Sequence, residues 1–175
     1  MFKKSLFFIT LLLLFAPPGF LSQAVAQVAV SGSLFGLKAV RVEVKPMGNS
    51  DERVQEIRLA QVLAETEAQL SEAGLTILPE DEYTRLRRSF RYPLGLLEVL
   101  VGVFPIKESE LMIYSANVRL NQAVYMARKP VVKFLTPTWE ARDLGSINNL
   151  PSLRGRIKDM VSRLVEDYQS AAPTE

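Results

Sequence analysis

The chain contains no cysteine and no histidine. Without cysteine there is no disulfide, no thiolate nucleophile, no thiolate metal site and no lipid-modifiable residue behind a signal segment. Without histidine the Ser-His-Asp triad and the Cys-His pair are excluded, together with the usual zinc, copper and non-haem iron sites. Catalysis would fall to carboxylates, lysine, tyrosine or serine. The carboxylates Glu43, Glu98, Glu140 and Asp143 stand singly along the chain, not in the pairs that glycoside hydrolysis requires. A Gly-rich phosphate loop, a Gly-x-Ser-x-Gly elbow and an acidic calcium loop are also missing. A protein that is not an enzyme, with no cofactor and no metal, is therefore expected, and a hydrolase is the weakest of the functional classes.

An excess of charge is missing too. The net charge of +2 is carried by Lys3 and Lys4, and the rest of the chain holds 19 basic against 19 acidic residues. Nucleic-acid binding rests on an excess of Lys and Arg across a domain, so no nucleic-acid partner is expected.

What is present begins with an address. Met1-Phe2-Lys3-Lys4 is a short positive stretch, and an almost unbroken apolar run follows from Ser5 to Phe15. Pro17, Pro18 and Gly19 break it, and Ala24-Val25-Ala26 places small residues where a signal peptidase cuts, so residues 1–26 are expected to be a cleavable signal peptide. The alternative, a retained membrane anchor, asks for an apolar run of roughly 20 residues, which this one does not reach. No later stretch reaches that length, so no transmembrane span is expected after cleavage. The protein is expected to be exported, to the periplasm where the cell has an outer membrane and otherwise to the medium.

About 150 residues then remain, enough for one domain with one core. Residues 27–36, rich in Ser and Gly, are expected to form a flexible lead-in, residues 37–170 a single domain, and residues 171–175 a frayed tail. Strict alternation predicts a strand over 37–45. Asn49 with Glu52 has the form of a helix cap and its partner, opening a helix over 51–73 that Gly74 closes. A short strand over 75–78 and a short helix over 80–89 follow, the latter opened by Pro79 and three acids. The apolar run 96–106 predicts a strand buried on both faces. Strands over 111–126 and 131–141 complete an antiparallel meander, residues 143–149 make a loop, and spacings of three and four predict a helix over 150–170. The order is β-α-β-β-β-β-α with a short helix inserted. The fold class is α+β, a two-layer sandwich in which two long helices cover one face of a mainly antiparallel sheet of about five strands. The first two strands are expected to lie parallel, because a helix crosses between them.

Four features are candidates for function. Arg85, Arg87, Arg88 and Arg91, interleaved with Phe90 and Tyr92, make an anion-binding candidate, and the plainer reading is local ion pairing with Glu80, Asp81 and Glu82. Gln122 places an amide on the dry face of its strand, where it either lines a pocket or ties a bulge into the sheet. Thr138 and Trp139 lie in Thr-Pro-Thr-Trp-Glu, where the lone Trp marks either an interface or a core, and Pro137 signals a sheet edge open to strand addition or self-association. The apolar segment 93–106 forms either a buried strand or a groove for an acyl chain.

Residues 114–128 (YSANVRLNQAVYMAR) and 136–140 (TPTWE), with a terminal amphipathic helix ending in Asp167-Tyr168, resemble a family of small exported bacterial proteins of uncharacterised function. The likeness spans most of the chain after the signal, with Pro137 a local departure, and implies membership but no activity. The expected function is a non-enzymatic envelope or periplasmic protein that binds an unknown protein or envelope component, or assembles as a homo-oligomer. Its binding candidates are Asn117, Arg119, Thr138 and Trp139 around the wet face of the sheet, with Gln122 on the dry one. The alternative is a carrier of a lipid or other small apolar molecule, which needs a cavity beneath residues 96–106.

Overall fold

The computed structural model describes residues 26–29, 33–47, 58–89 and 93–171. Residues 1–25 of the expected signal segment, the Asn49 and Glu52 cap, Arg91 and the tail beyond residue 171 lie outside the described residues.

Among the described residues the chain forms β1 (Ala26–Ala29), β2 (Ala39–Pro46), α1 (Leu59–Glu72), β3 (Thr76–Ile77), α2 (Glu80–Ser89), β4 (Leu94–Pro105), β5 (Met112–Met126), β6 (Lys129–Ile147) and α3 (Leu150–Ala171). The strands make one sheet in the order β1-β6-β5-β4-β2-β3. The β4-β5-β6 meander is antiparallel, as the polar turns between its strands require. β2 and β3 are parallel, joined by the crossing helix α1. β2 also runs parallel to β4, which makes the sheet mixed at that side and mainly antiparallel overall.

Alternation along each strand sorts the two faces. Val40 and Val42 of β2, Leu97, Val99, Val101 and Val103 of β4, and Tyr114, Ala116, Val118 and Leu120 of β5 point into one core. α1 covers this core with Val62 and Leu70, and α3 with Leu153, Ile157, Met160, Val161 and Leu164. The two long helices therefore share one face, joined by a hydrogen bond from Gln69 Nε2 to Ser162 Oγ (3.1 Å). Burying so many large apolar side chains, at roughly 1.5–3 kcal/mol each, is what holds the sheet flat against its helices.

Several expectations need correction. α2 packs on the opposite face, where Tyr83 and Leu86 meet Ala39, Leu78, Leu94 and Leu96. α2 thus covers β4 on its second face only at its start; farther along that face Leu100 is half-buried and Phe104 is exposed. The lead-in is not unstructured throughout: Ala26–Ala29 pairs with β6, Leu34 is buried, and Ser33 Oγ donates to the Thr138 carbonyl (3.1 Å). Arg58 has φ +54°, outside the right-handed helical region, so α1 starts at Leu59, and residues 51–57 of the expected helix lie outside the described residues. β6 extends to Ile147, so most of the expected loop at 143–149 is strand, held by β5 residues 112–116. α3 then starts on Asn149, whose Oδ1 accepts from the Ser152 N–H (3.0 Å), satisfying an otherwise orphaned helix donor.

Candidate functional site

The uncovered sheet face carries a polar ladder. Its central row runs Glu43 (β2), Glu98 (β4), Arg119 (β5) and Glu140 (β6), each opposite the next. Glu98 is the hub: it accepts from Arg119 Nε (2.9 Å) and Asn121 Nδ2 (2.7 Å) and, at longer range, from Lys45 Nζ (3.5 Å). Lys45 also pairs with Glu43, which accepts from Arg41 Nε (2.9 Å). On the other side Glu140 accepts from Asn117 Nδ2 (2.8 Å) and from Arg142 Nε (2.9 Å). Burial pushes the Glu43 carboxyl up, but the hydrogen bonds and charges of Lys45 and Arg41 outweigh it and hold the group below the usual carboxylate value. The hydrogen bond to Glu43 raises Lys45 in turn.

This ladder contains two of the predicted binding residues, Asn117 and Arg119, side by side with acids. Asn117 is buried and Arg119 half-buried, and both are engaged within the sheet. The remaining three lie elsewhere. Trp139 is on the core face and fully buried, its Nε1 donating to Asp167 Oδ2 (2.7 Å). It anchors α3 to β6 and is not part of the wet face. Thr138 is the extra residue of a bulge, because Leu120 pairs Trp139 while the next residue Asn121 pairs Pro137. Its hydroxyl lies against the Leu120 carbonyl oxygen (3.3 Å) and the Gln122 amide oxygen. Gln122 therefore ties the bulge, the second of its two readings, and it is half-buried rather than dry.

The arginines stand apart from this ladder on α2. Arg85, Arg87 and Arg88 are exposed; Arg85 pairs with Glu82 (3.3 Å, both exposed) and Arg87 lies beside the Tyr83 hydroxyl. Glu80 pairs with Arg41 of β2 (3.2 Å), which lies on the same face of the sheet as α2. Local pairing thus accounts for Arg85.

Two features escaped sequence reasoning. Tyr114, fully buried, donates its hydroxyl to Asp143 Oδ2 (2.8 Å) beneath the sheet, and the other oxygen of this buried carboxylate has no partner among the described residues. Burial, then the hydrogen bond to Asp143, pushes the Tyr114 phenol up to about 12. The signal in the sequence is Asp143 two residues beyond Ala141, in phase with core positions but past the end of the strand that alternation predicts over 131–141.

The second is an apolar patch at the β4-β5 turn end of the open face. Phe104 pairs directly with Ile113, and Leu144 lies diagonally beside Ile113 on β6. They are 42%, 43% and 62% exposed, with Ile106 and Leu111 continuing the surface around the turn. Gly102 makes room for the Phe104 ring, which comes within 3.1 Å of where a Cβ would stand. On the other face of β4, Leu97, Val99, Val101 and Val103 are fully buried against α1 and α3. Among the described residues no helix is long and apolar enough to cross a membrane, and no three carboxylates gather as a metal ion requires.

No protein-family model and no curated protein matches the chain. Among solved structures it is similar to the PelC dodecamer from Paraburkholderia phytofirmans (space group P6), at TM-score 0.47 and 12% identity over 86% of this chain and 99% of that one. A substituted variant of the same dodecamer (space group C2) is similar at TM-score 0.45 and 13% identity, over 84% and 98%. Likeness of this degree assigns neither a family nor a site.

Proposed function

We propose that this is an exported, non-enzymatic binding or assembly protein of the cell envelope that works through the open face of its sheet. The observation that carries the reading is the exposed patch of Phe104, Ile113 and Leu144. Three large apolar side chains on adjacent strands, rimmed by charged residues, form the kind of surface that marks an interaction site. The charged groups of the polar ladder beside it are paired with one another, so it sets register and solubility at the rim while the apolar patch supplies the contact area. Export is supported by the charged stretch, apolar run and Ala-Val-Ala sequence of residues 1–26.

The test is light scattering on the mature chain together with crosslinking in intact cells. A discrete oligomer, or a reproducible crosslinked partner mapped to residues 104–113 or 144, is expected. A monodisperse monomer that crosslinks to nothing through this face would exclude the reading.

A further inference from the structure

β5 and β6 run on beyond the sheet. β4 ends its pairing at Gly95 with Gln122, whereas β5 and β6 continue together through Ala123–Leu135, Val124–Phe134 and Tyr125–Lys133 to Met126–Lys129. Among the described residues nothing else pairs with this arm. A two-stranded ribbon is marginal in water by itself, yet this one exposes Tyr125, Met126, Val132 and Phe134. Alternation places Val124, Met126, Val132 and Phe134 on one side, giving an apolar face, with Tyr125 and Lys133 on the other. Lys133 Nζ sits 5.0 Å from the Tyr125 ring centroid.

Charge decides what this arm fits. From residue 111 to residue 139 the chain carries Arg119, Arg128, Lys129 and Lys133 and no acid, although the protein beyond its first residues is neutral. Arg128 and Lys129 sit at the tip of the arm. We propose that the arm docks the protein on an anionic lipid surface, its apolar face entering the headgroup layer while Arg128 and Lys129 at the tip meet the phosphates. Apolar area combined with lysine and arginine is the combination that binds such surfaces. Gln122 to Met126 spans roughly 13 Å, well short of the roughly 9–11 residues per strand that cross a bilayer, so the arm rests in the interface and does not span. The arm lies at the opposite end of the sheet from the Phe104 patch, and the inference is independent of the proposed function.

The test is co-sedimentation of the mature chain with vesicles of phosphatidylcholine plus phosphatidylglycerol, against vesicles of phosphatidylcholine alone. Binding to the first and not the second is expected, weakened by salt, and falling about fivefold for each of Arg128→Gln and Lys129→Gln. Phe134→Trp should gain a blue-shifted emission on adding the anionic vesicles. Val132→Ser with Phe134→Ser should abolish binding while circular dichroism and thermal unfolding stay unchanged, and Phe104→Ser at the other end should bind normally. Equal binding to both vesicles, binding to neither, or binding indifferent to the arm substitutions would overturn the proposal. So would arm substitutions that dissociate an oligomer in light scattering, since a second copy would then be the occupant.

Discussion

Tyr114 and Asp143 show how a buried polar pair ties stability to pH. The Tyr114 phenol sits at about 12 against an ordinary 10.0, so the fold holds its neutral form. A group whose folded value is raised contributes stability fully present below its unfolded value and lost as pH rises through the folded one. Denaturant unfolding at a series of pH values should therefore show stability falling between about pH 10 and 12. Tyr114→Phe removes that alkaline limb and, by leaving Asp143 buried without its donor, lowers stability by about 1–3 kcal/mol at neutral pH. Glu43 works in the opposite sense: its lowered value means stability present above the usual 4.5 and lost as pH falls. At the hub of the ladder, Glu98→Gln weakens acceptance from Arg119, Asn121 and Lys45 together. A loss of about 1–2 kcal/mol is expected by chemical denaturation, since Glu98 is half-buried and its partners are partly screened.

Among the elements, α1 and β6 are set by single backbone positions. Gly74 has φ +91°, a conformation glycine takes freely and other residues do not, and its N–H closes α1 on the Ser71 carbonyl (3.0 Å). Gly74→Ala should cost about 1 kcal/mol or more in thermal unfolding, although nothing stands within 4 Å of the added Cβ, because the cost is conformational. In β6, the bulge at Thr138 decides which residues face the core on either side of it. Thr138→Val keeps the shape but removes the hydroxyl that meets Gln122, so a loss near 1 kcal/mol with retained fold is expected.

At the scale of the whole molecule the two faces of the sheet have different fates. One is sealed by α1 and α3; the other is capped at one corner by α2 and open from there to the β4-β5 turn. Phe104→Ser combined with Leu144→Ser alters only exposed side chains, so thermal stability should move by no more than about 0.5 kcal/mol. The same pair should abolish the association detected by light scattering or crosslinking. Loss of association without loss of stability separates an interaction surface from a misplaced piece of core.

The sequence by itself determined the α+β class, the two long helices, the antiparallel meander and the parallel first strands, because hydrophobic period and turn residues act locally and each segment carries its own signal. Tertiary structure decided the rest. β4 reads as one apolar run, and only the packing of helices shows which half of its second face stays open. Trp139 and Thr138 are neighbours in sequence, but a single bulge sends one into the core and the other into a hydrogen bond with Gln122. Glu43, Glu98, Arg119 and Glu140 are scattered along the chain and become one row only through strand register. The same holds for Phe104, Ile113 and Leu144: side-chain neighbours across strands are fixed by pairing between distant segments, and no local pattern records that pairing.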